Sequence, residues 1–291
     1  MRVAIVTPSW APDYELCRIL VESVRRYLPE DIPHYLLVAR EDLVLFQSLA
    51  SERTIVLRTD AAVGGFYRVP FSRTWRVALD SLPVRGWIHQ QLLKLSLADL
   101  LDADVYVLVD SDCFYVRPFD PRSVFIDGKV PLAREEKEWF ANDPETQHWH
   151  RIAAKLLGLP LTAAPYATGY VGQHRFLRRD VLCKLQEHLN KGGGRRTWIR
   201  KIARQLTFSE YVLYGMFCEH LLGLDTSGHY IDDRRYDAGY YGERPLSRTE
   251  LCDLRSSVGT DKFMVMISAK SGTPVDLIRD AFSLPSPAAV R

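Results

Sequence analysis

Two aspartates separated by one residue, Asp110-Ser111-Asp112, follow an apolar run and are the strongest chemical signal in the sequence. Along an extended chain, side chains two positions apart point to the same side, so the two carboxylates can converge on one cation. Their oxygens suit a hard divalent ion, Mn2+ or Mg2+, that also bridges to the phosphates of a substrate. Such an ion stabilises negative charge on a departing diphosphate. A bare D-x-D is common, and two solvated aspartates at a strand end would read the same. What favours a site is the apolar strand that delivers the pair and the Phe114, Tyr115, Arg117 and Pro118 that follow it. Upstream, Trp87, Gln90, Gln91 and Lys94 fall within a helical arc of roughly 100° beside an apolar arc of Ile88, Leu92 and Leu95. Two amides and an ammonium suit a sugar or a phosphate, although the same residues also make an ordinary solvated helix face.

The elements that must position these residues can be read from the spacing of apolar positions. Val3–Thr7 reads as a strand, 14–27 as a helix, 35–38 as a strand, 43–49 as a helix and 54–57 as a third strand. This alternation predicts an α/β fold with a mostly parallel sheet flanked by helices. The turn-rich stretch around Gly64 and Gly65 interrupts it, as a loop over a site or a plain surface excursion. A long helix is predicted over 87–101, leading into a buried strand whose carboxyl end carries Asp110 and Asp112. Ligands of open parallel sheets bind beyond that end of the strands. A strand over 166–171, helices over 180–189 and 209–222, a Gly192–Gly194 break and an apolar run over 263–267 follow. Between about Gly223 and that run regular structure is weakly specified, and the tail from Ser283 reads as frayed.

Composition bounds the function classes. The 291 residues are 47% hydrophobic and carry 38 basic against 36 acidic residues, a net charge of +2 that marks no nucleic-acid binder. The five cysteines are odd in number and lack a C-x-x-C pair, so they read as free thiols in a reducing compartment. With no apolar run of about 18 residues and no signal-peptide pattern, the expectation is a cytoplasmic protein. One local field stands out. Six basic residues in 191–206 have no acidic residue among them, and Trp198, Ile199, Ile202 and Leu206 interleave. That pattern suits peripheral contact with an anionic membrane surface, or a solvated face whose apolar residues pack on the core. His148-Trp149-His150 has the wrong spacing for one helix face and reads as surface or packing residues rather than metal ligands.

The segments GWIHQQLLKL, YVLVDSDCFYVRPF and FSEYVLYG together resemble an uncharacterised bacterial group of GT-A type glycosyltransferases. The resemblance implies a single Rossmann-like domain: a nucleotide-sugar-binding half over 1–120, then an acceptor-binding half with a less regular C-terminal region over 121–291. It implies a UDP- or GDP-sugar donor, a carbohydrate or lipid-linked acceptor, and a D-x-D in which Asp112 ligates the metal and Asp110, with Ser111 between, lies nearer the ribose. Thr7, Pro8 and Ser9 would border the nucleotide, and Lys94, with Gln90 and Gln91 on its helix face, the donor. The C-terminal histidine that many such enzymes add to the metal has no convincing counterpart, His229 being only a positional candidate. Glu210 stands where inverting members place the general base that deprotonates the acceptor. Thr207 and Glu210 equally have the T-x-x-E spacing of a capping box, and Asp180 and Asp233 are the other carboxylates for the base. Two further classes compete: a haloacid-dehalogenase-like phosphatase, whose aspartate pair however lies in the opening strand, and a non-catalytic nucleotide- or sugar-binding module.

Overall fold

The fold is taken from a computed structural model that describes residues 1–284 except 62, 64–65, 70–74, 79–80, 138–139, 141 and 161–167. Gly64, Gly65, Tyr166 and most of the tail therefore lie outside the described residues. The opening apolar run forms β1 (Val3–Pro8), buried throughout, and the helical spacing after it forms α1 (Tyr14–Tyr27), with Cys17, Ile19, Leu20 and Val24 turned inward. β2 (His34–Val38), α2 (Leu43–Gln47) and β3 (Thr54–Arg58) continue the alternation. β4 (Tyr67–Arg68), β5 (Trp75–Ala78) and β6 (Ser81–Arg85) make a small antiparallel sheet that runs into α3 (Gly86–Leu95). The single helix predicted over 87–101 is in fact two. Ser96, whose hydroxyl donates back to the Leu93 carbonyl, ends α3, and α4 (Leu97–Leu100) follows.

The apolar run before the aspartates is β7 (Val105–Leu108), every residue buried, and the aromatic segment after them is β8 (Cys113–Tyr115). β9 (Val130–Ala133), β10 (Glu135–Glu136), α5 (Pro144–Leu157), β11 (Thr168–Gly169) and β12 (Arg175–Arg178) come next. Then come α6 (Arg179–Asn190), α7 (Thr197–Ala203) and α8 (Glu210–Met216), the last running into a π-helical stretch, Phe217–Leu222. The part predicted to be weakly specified is regular: α9 (Leu224–Ser227), β13 (His229–Asp232), β14 (Asp237–Tyr240) and α10 (Arg248–Ser256) precede β15 (Met264–Ile267) and α11 (Val275–Phe282). Its strands are short and polar at one end, which hides them from a search for apolar runs.

The molecule is α/β. Its parallel-rich central sheet runs β12-β7-β1-β2-β3, with β1 and β2 parallel and β12 antiparallel to β7. A second sheet orders β14-β15-β8, pairing Met266 with Cys113. Residues cluster into two compact units. The first comprises 1–4, 57–108 and 124–234; the second comprises 5–56, 109–123 and 235–291. In the second, Ile19, Phe114, Leu251, Val265, Ile267 and Phe282 form one core cluster, and Cys17, Val21, Leu36 and Phe46 form another. In the first, Tyr106 and Tyr214 are fully buried, and the Tyr214 hydroxyl shares a 2.8 Å hydrogen bond with His229. The five cysteines are free thiols, three of them buried.

Candidate functional site

Asp110, Ser111 and Asp112 do not continue the strand as an extended chain. They form a turn between β7 and β8, closed by the Cys113 N–H donating to the Asp110 carbonyl at 3.1 Å. The extended geometry assumed by period-two alternation is therefore replaced by a turn, in which the charge of Asp110 still acts on Asp112. Asp112 is fixed twice from β15 and the loop after it: its carbonyl accepts from Ile267 N–H at 3.0 Å and its Oδ2 accepts from Ala269 N–H at 3.0 Å. A third carboxylate joins them. Asp13, just before α1, accepts from Trp10 Nε1 at 2.8 Å and from the Ser111 hydroxyl at 3.2 Å.

The electrostatics of this turn are those of crowded negative charge. Burial first, and then the charge of Asp110 and more weakly that of Asp13, push the Asp112 pKa up to about 7, against the lowering effect of the Ala269 N–H. Asp13 is likewise raised, chiefly by burial and least by Asp110, while its bonds to Trp10 and Ser111 act the other way. A divalent cation would reverse the part of this that comes from like charges, and an all-oxygen donor set is what Mn2+ or Mg2+ prefers. Among the described residues no three His, Cys, Asp or Glu side chains are arranged to hold a metal by themselves. Asp13 adds its charge to the turn, and the carboxylate oxygens of Asp110 and Asp112 are of the kind such an ion takes.

Thr7, Pro8 and Ser9 end β1, where Ser9 N–H donates to Leu37 O at 3.0 Å. The Thr7 side chain is committed to the core, fully buried and sharing a 3.0 Å hydrogen bond with His34 Nε2. Ser9 is half-buried.

In the other unit, α3 departs from the solvated face its polar arc allows. Trp87 is exposed and Gln90 half-buried, but Gln91 and Lys94 are buried. Lys94 Nζ lies 2.9 Å from Glu210 Oε1 and donates to the Tyr211 hydroxyl at 3.0 Å, with both charged residues 4% exposed. Gln91 Oε1 accepts the Glu210 backbone N–H at 2.9 Å. Glu210 is therefore no capping-box residue. The N-cap of α8 is Ser209, whose hydroxyl accepts from Val212 N–H, and Glu210, one residue on, spends its carboxylate on Lys94. His229 is closed as a metal ligand, since Nδ1 bonds the Val130 carbonyl at 2.9 Å and Nε2 the Tyr214 hydroxyl. Asp180 is paired with Arg178 and Asp233 is exposed. His150 packs inside α5, fully buried and bonded to Thr146 O.

Sequence reasoning missed Asp13, Tyr211 and the Ala269 N–H. Asp13 had a readable signal, a carboxylate in the loop directly after the first strand, whereas a backbone amide 157 residues from Asp112 leaves none.

A family model described as "Family of unknown function (DUF6492)" matches residues 3–240. No curated protein matches the chain. Among solved structures, the chain is similar to the apo structure of the bifunctional glycosyltransferase WbbM, at 9% identity and a TM-score of 0.52 over 97% of this chain and 49% of that one. Mouse xyloside xylosyltransferase 1 in its apo form aligns at 11% identity and a TM-score of 0.46, over 94% of this chain and 99% of the other. The galactosyltransferase LgtC, in complex with donor and acceptor sugar analogues, aligns at 10% and 0.49, over 99% and 98%. At these identities the likeness to WbbM is one of fold.

Proposed function

The chain belongs to that family of unknown function, and we propose that it is a metal-dependent glycosyltransferase, moving a sugar from a nucleotide-sugar donor to an acceptor hydroxyl in polysaccharide or glycoconjugate synthesis. The observation that carries the reading is the turn at the end of β7, where Asp112 is held by the Ala269 N–H while Asp110 and Asp13 crowd it with negative charge. Maintaining like charges together costs stability, and a cation-binding role gives that cost a purpose. The fold likeness to WbbM supports the same direction, because a sheet of this kind presents ligands to the carboxyl ends of its strands.

In this reading Asp110 and Asp112 hold Mn2+ or Mg2+, which when bound supplies Lewis-acid stabilisation for the negative charge of a departing nucleoside diphosphate. Ser111 and the Trp10 indole keep Asp13 oriented, and Asp13 in turn keeps the turn closed. The end of β1 borders the UDP or GDP moiety through Pro8 and Ser9, with Thr7 as buried support. Glu210 as base would take the proton of the attacking hydroxyl of a carbohydrate or lipid-linked acceptor. The 2.9 Å pair with Lys94 favours a second role, because protonating Glu210 would strand a buried ammonium. In that role the carboxylate positions Lys94 and does not itself take the proton.

Isothermal titration with UDP-, GDP- and CDP-sugars, with and without Mn2+, tests the proposal. Metal-dependent binding of one nucleotide is expected. Release of phosphate from small phosphoesters without such binding would move the chain to the phosphatase class.

A further inference from the structure

The basic stretch of 191–206 acquires a definite geometry in the fold. Three of the four apolar residues that interleave with the charges, Trp198, Ile199 and Ile202, form the buried side of α7, so this helix does not lie in a membrane by its apolar side. What it turns outward is charge: Lys191, Arg195, Arg196, Arg200 and Arg204 are exposed, and the Arg195 side chain is 91% accessible although it stands 3.6 Å from Asp99. α7 packs on β6 and on α3. At the end of β6, Arg85 is paired across the small sheet with Trp75 and its guanidinium lies 5.8 Å from the centre of that ring. Trp87, the second residue of α3, follows two positions later. Trp75 and Trp87 are 38% and 39% exposed, and Leu206, just past α7, is 77% exposed.

Exposed tryptophans next to arginines are the side chains that settle at the headgroup level of a bilayer, with the ring in the interface and the cation on lipid phosphate. Five exposed cations over 191–204, on and before a helix that packs on the elements adjoining those rings, fit an anionic surface. A nucleic-acid partner is less well matched, since the whole chain carries only +2 and offers no extended field. We propose that α7 with its preceding glycine turn, together with the Trp75, Arg85 and Trp87 corner, is a docking face for anionic phospholipid bilayers. This surface stands on residues separate from the carboxylate turn, so it survives or fails independently of the sugar-transfer reading.

The test is co-sedimentation of the full chain with vesicles of phosphatidylglycerol and phosphatidylcholine, and with phosphatidylcholine alone, at low and at high salt. Binding only to the anionic vesicles, and lost at high salt, is expected. Changing Arg195, Arg196, Arg200 and Arg204 together to Gln should weaken it by more than about 100-fold, at roughly fivefold per charge. The same four positions changed to Lys should restore most of the binding, and a far-ultraviolet circular dichroism spectrum like that of the wild type should show that both forms are folded. Wild-type protein that ignores anionic vesicles at low salt overturns the proposal. So does equal binding by the Gln variant, or tighter binding to an RNA oligonucleotide than to the vesicles.

Discussion

Asp112 is both a tether and a charge, and the two can be separated by one atom. Asp112→Asn keeps an oxygen for the Ala269 N–H and removes the charge that a divalent ion needs. Nucleotide binding in the presence of Mn2+ should fall by more than about 100-fold with the melting temperature unchanged or raised, because like-charge crowding is relieved. Unaltered Mn2+-dependent titration would remove Asp112 from the site. Glu210→Gln separates its two roles in a different way. A base would lose about 10²–10⁴ in transfer rate with donor binding and stability intact. A partner of Lys94 would cost about 3–5 kcal/mol of stability, read as a lower denaturant midpoint. We expect the second pattern, and a normal midpoint with a collapsed rate would reverse that expectation. At this scale the place of Asp110 and Asp112, just beyond a buried strand, was legible because an apolar run announces it. The burial of Gln91 and Lys94 was not, because helical periodicity places them on one arc without saying what covers that arc.

Helix ends show what spacing can and cannot reveal about elements. Thr207 and Glu210 have capping-box spacing but make no box, whereas Ser247 and Glu250, with the same spacing in the stretch that reads as weakly specified, make both reciprocal bonds at the start of α10. The difference lies in what competes for the glutamate: Lys94 in one case, and the helix N-terminus with Arg244 in the other. Ser247→Ala should therefore lower stability by about 1 kcal/mol, and Thr207→Ala by much less, in paired chemical denaturation curves. Comparable losses for the two would mean that the cap does not hold α10. Within α8, Gly215 is a packing choice. Alanine is the better helix former, but its Cβ would come 2.2 Å from the Tyr170 ring, whose hydroxyl is tied to Glu219 at 2.7 Å. Gly215→Ala should accordingly destabilise by about 1–3 kcal/mol, and a gain in stability would show that Tyr170 can step aside.

For the whole molecule, buried imidazoles set the response to acid, four of them most strongly. Burial holds His34, His89 and His174 down to about 3 and His229 to about 4, from an ordinary value of 6.5. The unfolded chain takes up those protons first as pH falls, so stability is complete above about pH 6.5 and declines towards the folded values. Each ring costs about 2 kcal/mol by pH 5. Asp112, raised to about 7, acts in the opposite sense, but one group offsets little more than one ring. The urea midpoint should fall steeply between pH 6.5 and 5, and a flat profile would show that the rings are solvated. The α/β class was legible at this scale from alternation alone, while the pairing of β8 with β15 was not, because the two strands are more than a hundred residues apart.

That pairing has a consequence in time. A chain leaving the ribosome delivers Asp110, Ser111 and Asp112 long before residues 264–269 exist, and closing so long a loop is among the slower events in folding. The turn can form early, but the amide of Ala269 that locks Asp112 arrives only when β15 joins β8. The strands of the central sheet therefore all exist before the contact that sets Asp112 can form.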